Sequence, residues 1–183
     1  MQGSNCFIVE PFGGTNFVVK EGDIIVNVSI ENHVYTNRLG VVKYLPKNYN
    51  GNVVVGDILV VHHNTFRTYY DQKGMKKESF SYIKDNLFQV TDEFIYMIIK
   101  PNGEQIAFKD NVFVEPIIEK PSFFEMEKEI ERVGIVYLSN DELKKEGINK
   151  NDVVFYAKDS EYEFILNKKR LYKMTTNRIL AKV

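Results

Sequence analysis

A repeated order of strand motifs is the feature that most constrains how this chain can fold. An Arg-x-Gly run at residues 37–42 passes through a polar loop and a Gly-Asp turn into an apolar run at residues 58–61. The same order returns where residues 131–136 lead through a second turn into residues 151–156. Internal repeats are sought first because each copy forms one supersecondary unit of the fold. The sequence therefore predicts two copies of one β-rich unit.

The repeat extends in both directions from these motifs. Upstream, residues 7–11 match residues 112–116, and both blocks contain Val-Glu-Pro. Downstream, residues 92–96 match residues 176–180. The first copy has extra residues in both variable loops, and longer loops add little to the entropic cost of closure. We therefore expect the strands to keep their register while the loops differ in length.

The pattern predicts an all-β chain of two tandem small β-barrels, residues 1–110 and 111–183, with long loops and little helix. Many short strands with turn signals between them are typical of a barrel or sandwich. Apolar residues alternate through residues 24–31, which predicts a half-buried strand. A helix is predicted only at residues 122–131, which begin with a capping-box spacing, and at residues 141–146, which precede a glycine.

Composition excludes several classes of protein. The 183 residues carry a net charge of −1, so bulk charge gives no attraction to nucleic acid or to an anionic membrane. The single cysteine, Cys6, excludes an intramolecular disulfide and suits a reducing compartment. No run approaches the ~20 apolar residues of a membrane span, and the N-terminus has no basic-then-apolar signal pattern. We expect a cytoplasmic protein.

The titratable residues do not form a recognisable catalytic or metal motif. The histidines are His33, His62 and His63, and the last two would point to opposite faces if they lay in a strand. They would then share no metal site, and the spacings of zinc ligands are absent. Phosphate-loop and nucleophile-elbow motifs are absent as well. We therefore predict no catalytic residue, no metal, no cofactor and no enzymatic activity.

Short apolar runs in the variable loops are the candidate binding elements. Such runs can dock in a groove of a protein partner. The candidate partner-binding residues are Ile24, Ile25 and Val26 in the first copy, and Phe123, Phe124 and Met126 in the second.

A second candidate surface combines aromatic and basic residues between residues 66 and 88. Stacking of bases on aromatic rings beside lysines is how many proteins bind single-stranded nucleic acid. The near-zero net charge favours core and hairpin packing instead, so nucleic acid is a less favoured partner. The residues concerned are Phe66, Arg67, Tyr69, Tyr70, Lys73, Lys76, Lys77, Phe80, Tyr82 and Phe88.

The two copies together resemble the GroES-type co-chaperonin domain, and the resemblance covers nearly the whole chain. Tandem copies are similar to the two-domain co-chaperonin of chloroplasts, and the long insert from His62 to Gly74 is more like the divergent versions of bacteriophages. The motifs that carry the resemblance are residues 7–9 and 112–114, residues 38–42 and 132–136, residues 55–59 and 150–154, and the closing residues 177–183.

The resemblance implies an oligomeric ring that caps the folding chamber of a chaperonin and leaves ATP hydrolysis to that partner. In the family, an apolar tripeptide in a mobile loop binds the chaperonin, and Ile24, Ile25 and Val26 lie at that position here. A phage-encoded version would act in the host cytoplasm. Two alternatives remain open: a structural or assembly protein, such as a virion or capsid-associated component, that adds strands to its neighbours, and a binder of single-stranded nucleic acid.

Overall fold

The protein is mostly β-structure in two compact units. The computed structural model shows 51% strand and 9% helix, which confirms the predicted all-β class. The chain divides into Met1–Gln105, here unit 1, and Ile106–Val183, here unit 2. This division lies close to the boundary predicted after residue 110. The structure describes residues 5–13, 18–21, 24–27, 33–119 and 128–183.

Unit 1 is built on a seven-stranded sheet with the order β11-β10-β5-β4-β1-β9-β8. Strands β2 and β3 form one separate two-stranded sheet, and β6 and β7 form another. The final strand, β11, extends past the division between the units. The strands are β1 (Phe7–Pro11), β2 (Val18–Glu21), β3 (Ile24–Asn27), β4 (Leu39–Tyr44), β5 (Ile58–Val61), β6 (Thr68–Tyr70), β7 (Lys76–Glu78), β8 (Tyr82–Lys84), β9 (Leu87–Val90), β10 (Ile95–Ile99) and β11 (Gln105–Ala107). Short 3-10 helices occupy His33–Tyr35 and Asp92–Phe94.

Unit 2 is built on a six-stranded sheet with the order β15-β16-β12-β13-β14-β17. Its elements are β12 (Asn111–Glu119), β13 (Lys128–Leu138), α1 (Asp141–Lys145), β14 (Val153–Tyr156), β15 (Tyr162–Leu166), β16 (Lys169–Thr175), a 3-10 helix (Thr176–Arg178) and β17 (Ile179–Lys182). The residues matched by the sequence repeat take equivalent places in the two sheets. The order β10-β5-β4-β1-β9-β8 in unit 1 corresponds to β17-β14-β13-β12-β16-β15 in unit 2. Common ancestry of the two units stays a prediction.

Both main sheets are open, so the predicted closure into barrels is wrong. In unit 1 the sheet ends at β8 and β11, and in unit 2 it ends at β15 and β17. Alternation along a strand reports which face is buried, but closure depends on pairing between the first and last strands. The sequence carries no signal for that pairing, so it does not distinguish an open, sandwich-like sheet from a closed barrel.

Strands β1 and β4 of unit 1 pair in the same register as strands β12 and β13 of unit 2. In unit 1, Val9 lies opposite Val42 and Pro11 lies opposite Gly40. In unit 2, Val114 lies opposite Val136 and Pro116 lies opposite Gly134. A shift in register precedes Val9 and Val114 alike. Proline cannot donate to a strand ladder, and the pairing ends at Pro11 in unit 1, whereas in unit 2 it shifts register after Pro116.

The glycine of each Arg-x-Gly motif is required by close packing. A Cβ at Gly40 would lie 2.9 Å from Phe66 Cζ, and one at Gly134 would overlap Val114 Cγ1 and lie 2.8 Å from the Glu115 carbonyl oxygen. Glycine in a strand often marks such an approach of a neighbouring chain. Close packing therefore explains why both motifs contain glycine.

An aspartate closes the turn that leads into β5 and into β14. Asp57 Oδ2 accepts hydrogen bonds from Val54 N and Lys100 Nζ, both at 2.8 Å. Asp152 Oδ2 accepts from Asn149 N and Lys182 Nζ, both at 2.7 Å. The aspartate thus joins the turn to the closing strand region of its own unit.

The two helix predictions have different outcomes. The helix predicted at residues 141–146 is confirmed as α1, and Asn140 caps it by accepting a hydrogen bond from Leu143 N at 2.9 Å. The helix predicted at residues 122–131 is wrong where it can be compared, because Lys128–Leu138 is strand β13. Residues 122–127 lie outside the described residues. In the described ranges, no helix is long and apolar enough to cross a membrane.

Candidate functional site

The predicted partner-binding tripeptide lies in a β-hairpin of unit 1. Ile24, Ile25 and Val26 belong to β3, which pairs antiparallel with β2. Glu21 lies opposite Ile24, so only two residues, Gly and Asp, connect the strands. Glycine first in a two-residue connection is a preferred sequence for a tight hairpin. Among the described strands, β2 and β3 pair only with each other, which leaves each of them an outer edge.

The corresponding candidate of unit 2 falls outside the described structure. Phe123, Phe124 and Met126 lie between the described ends of β12 and β13. Their predicted role as partner-binding residues therefore stays a prediction.

Strand β17 presents an apolar edge of unit 2. Leu180 is 56% exposed and Val183 is 69% exposed, while Ile179 packs against the unit 2 core. The strand pairs with β14 on one side and ends the sheet on the other. In unit 1 the equivalent strand, β10, has β11 as its second neighbour. An edge strand with unpaired backbone groups is a template for another strand.

The aromatic and basic stretch forms a hairpin and its flanks rather than one charged surface. Phe66 and Phe88 are buried in contact, with ring centroids 5.1 Å apart, whereas Phe80 is 78% exposed. The hairpin lysines have acidic neighbours: Lys76 Nζ lies 2.9 Å from Glu78 Oε1, and Lys77 Nζ lies 3.8 Å from Asp71 Oδ2. These ion pairs reduce the positive field that single-stranded nucleic acid would require.

The three histidines lie together, because His62 and His63 do not lie in a strand, which was the condition for their pointing to opposite faces. Strand β5 ends at Val61, and both residues fall in the connection that follows, where strand alternation no longer applies. Their ring centroids lie 4.1 Å apart, and the His33 ring lies 5.6 Å from His63. Within the part of the chain that the structure describes, no three His, Cys, Asp or Glu residues could hold a metal ion.

Two arginines, Arg38 and Arg67, act electrostatically on His63. Arg38 is almost fully buried, and its Nη2 donates a hydrogen bond to the His33 carbonyl oxygen at 2.6 Å. Burial has the largest effect on the pKa of His63, and together with the charges of His62, Arg38, His33 and Arg67 it lowers that pKa to about 4. The folded state therefore disfavours the proton of His63, first through burial and then through its basic neighbours. We refer to His33, Arg38, His62, His63 and Arg67 as the basic cluster.

In unit 2, Arg170 and its acidic neighbours form a network of ion pairs with one another. Arg170 Nε contacts Glu163 Oε1 at 2.7 Å, and Arg170 Nη1 contacts Glu129 Oε2 at 2.9 Å. The Tyr172 hydroxyl donates to Glu129 Oε2 at 2.8 Å. Burial and the Glu129 carboxylate raise the pKa of Tyr172 above its ordinary value. The network ties β13, β15 and β16 together, which accounts for it as a structural feature.

Comparison with known proteins gives no family for the chain. No protein-family model matches it, and no curated protein sequence matches it. Function is therefore inferred from the geometry of the described residues.

Proposed function

We propose that this protein is a co-chaperonin-like, ring-forming protein that caps a chaperonin chamber, and that it binds its partner through Ile24, Ile25 and Val26. The observation that carries the proposal is the β2–β3 hairpin. It holds the apolar tripeptide in a short sheet of its own, after the opening strand of a unit whose motifs resemble the GroES-type domain. An extended apolar segment can dock on a partner.

The apolar edge at β17 supports the assembly part of the proposal. Leu180, in β17, and Val183, just after it, are largely exposed where the described strands of the sheet end, and a second copy of the chain can pair with that edge. A ring needs such a contact between different surfaces of successive subunits. The mass of the protein in solution tests this part: a defined oligomer is expected, and a monomer at all concentrations contradicts it.

Partner binding is tested by sedimentation of the protein with a purified bacterial chaperonin and ATP. The test variant replaces Ile24, Ile25 and Val26 by serine. The matched control replaces Val54 and Val55, which are 52% and 59% exposed at the turn before β5, by serine. We expect the wild type and the control to sediment with the chaperonin and the test variant to remain free. No complex with the wild type, or equal binding by the test variant, contradicts the proposal.

The outer edges of β2 and β3 favour one further candidate, an assembly protein that pairs with its neighbours by strand addition. That interaction is made by the backbone, so serine substitutions on β3 would weaken it little. Replacing residues 14–30 with a flexible Gly-Ser linker would abolish it. Self-assembly that grows with concentration, survives the serine variant and disappears with the linker would select this candidate over capping.

A further inference from the structure

Strand β15 is the least protected edge of the two main sheets. The described strands of these sheets end at β8 and β11 in unit 1 and at β15 and β17 in unit 2. Strands β8 and β11 have three residues each, and β17 contains a shift in register. Strand β15 has five residues and pairs with β16 in unbroken register. Short or bulged edges resist further pairing, so a longer, regular edge is a better template for another strand.

The backbone of β15 presents hydrogen-bonding groups on its open side. The two connecting residues after it, Asn167 and Lys168, both have positive φ, which is typical of a tight two-residue hairpin. Leu166 closes that hairpin and directs its backbone groups to β16. The groups alternate in direction along an antiparallel strand, so Glu163 and Ile165 direct theirs away from β16. No described strand pairs with β15 on that side.

The side chains of β15 divide into an inner and an outer face. Phe164 and Leu166 are buried in unit 2, whereas Ile165 is 36% exposed on the outer face. The charge of Glu163, also on the outer face, is compensated within its own chain by Arg170 Nε at 2.7 Å. Ile165 is therefore an exposed apolar residue on an open edge whose one charged residue is already paired.

The two ends of β15 carry opposite charges. Glu161 lies just before the strand and Lys168 lies in the turn just after it, and both are exposed. Antiparallel pairing of two identical strands sets the start of each strand beside the end of the other. Glu161 of one copy would then lie near Lys168 of a second copy. Opposite charges across paired strands are favourable and like charges are not, so this edge is complementary to itself in the antiparallel direction.

We propose that β15 pairs antiparallel with β15 of a second copy, about a two-fold axis at Ile165. This register sets Ile165 opposite Ile165 of the second copy and keeps the inner faces of both sheets on one side. A two-fold contact uses the same surface on both copies, so it closes on a pair. The contact uses neither β17 nor the β2–β3 hairpin, and it is therefore independent of capping.

Disulfide cross-linking tests the register, with Ile165→Cys in a Cys6→Ser background and copper phenanthroline as the oxidant. Opposite residues that exchange both backbone hydrogen bonds have Cα atoms about 5.5 Å apart, which is within the range for a disulfide. We expect covalent dimers from Ile165→Cys. The matched control, Ile83→Cys on the exposed edge β8, should give none. No dimer from Ile165→Cys, or equal dimer formation by Ile83→Cys, overturns the proposal.

Charge reversal tests the pairing by analytical ultracentrifugation. We expect Glu161→Lys and Lys168→Glu each to raise the dissociation constant of the pair about tenfold, because each change sets like charges together at both ends of the contact. The double reversal should restore the wild-type value, which a loss of folding could not do. A double reversal that stays as weak as the single variants contradicts the proposal.

Substitution of single apolar residues separates this contact from the assembly contact proposed at β17. Ile165→Lys should abolish the pair, whereas Phe155→Lys, at a residue that is 45% exposed on the inner strand β14, should keep it. Leu180→Lys should also keep the Ile165→Cys cross-link when the two changes are combined. Self-association that is lost in Leu180→Lys and kept in Ile165→Lys would assign the contact to β17 and overturn the proposal.

Discussion

Units 1 and 2 have the same order of matched strands, but they differ in what is added to that order. Unit 1 has the β2–β3 hairpin, the β6–β7 hairpin and all three histidines. Unit 2 has shorter variable loops and an uncovered closing strand, β17. The shared strands are explained by packing and register, and the additions need another reason. The comparison therefore directs the search for function to the hairpins and the basic cluster of unit 1 and to the edge of unit 2.

The turn aspartates give the largest expected difference between the units. Asp57 is completely buried and paired with a mostly buried Lys100, whereas the side chain of Asp152 keeps 22% exposure. Removal of one member of a buried ion pair leaves the other charge uncompensated. We expect Asp57→Ala to lower the free energy of unfolding by about 4 kcal/mol, and Asp152→Ala to lower it less. Urea unfolding of both variants measures the difference, and equal losses contradict the account.

The glycines of the two Arg-x-Gly motifs should show the opposite order, with the larger loss of stability in unit 2. A Cβ at Gly134 meets a backbone carbonyl oxygen, which cannot move aside, whereas a Cβ at Gly40 meets only side-chain atoms, those of Phe66 and Val9. We expect Gly134→Ala to cost about 3 kcal/mol and Gly40→Ala about 1–2 kcal/mol of unfolding free energy. Denaturant titration tests this order. A Gly40 variant that is less stable than the Gly134 variant would show that the two strand contacts are not equivalent.

The histidines predict a pH dependence that belongs to unit 1 alone. The pKa of His63 is lowered to about 4 from an ordinary value of 6.5, so the folded state disfavours its proton. The unfolded chain takes up that proton first, and stability is therefore lost as the pH falls from 6.5 towards 4. We expect the unfolding free energy to fall by about 1–2 kcal/mol over this interval, a value that allows for the water that reaches the ring.

Measurement of unfolding free energy against pH in wild type and His63→Gln isolates this contribution. The variant should lose less stability than the wild type across that interval. The same loss in both proteins would show that other groups carry the pH dependence.

The cap of α1 gives the smallest predicted effect and concerns a feature of unit 2. Asn140 accepts from Leu143 N and donates to Thr176 Oγ1 at 2.6 Å, so it joins the helix to the 3-10 helix before β17. We expect Asn140→Ala to cost about 1 kcal/mol, and Asn140→Asp, which keeps the acceptor, to cost less. Thermal unfolding of the two variants checks the order. Equal stability of Asn140→Ala and wild type contradicts the assigned cap.

The sequence predicted the strands best where a residue pattern and a turn signal agreed. The Asp57 and Asp152 turns and the helix α1 have local causes, so short segments report them. Sheet closure depends on which edges meet, and no local pattern records that. The capping-box spacing at residue 122 is a local signal and predicts helix up to residue 131, whereas pairing with β12 makes the start of β13 a strand.

The candidate site was predictable only in part. The β-character of Ile24 to Val26 follows from alternation, but their pairing with β2 required the structure. The basic cluster was missed because strand alternation was extended beyond Val61, where the strand ends. Its members lie far apart in sequence, and their convergence depends on the register of β4 and β5. The adjacent pair His62-His63 was the sequence signal for this cluster. A strand that ends at Val61 places both histidines in the connection that follows.

Hydrogen–deuterium exchange of the protein, alone and with a purified chaperonin and ATP, tests most directly whether the β2–β3 hairpin of unit 1 is the partner-binding element. We predict that the chaperonin slows exchange in residues 18–27 and leaves the β6–β7 hairpin, residues 68–78, unchanged. Unchanged exchange in residues 18–27 in a mixture that forms a complex, or slowing confined to residues 68–78, would contradict the account.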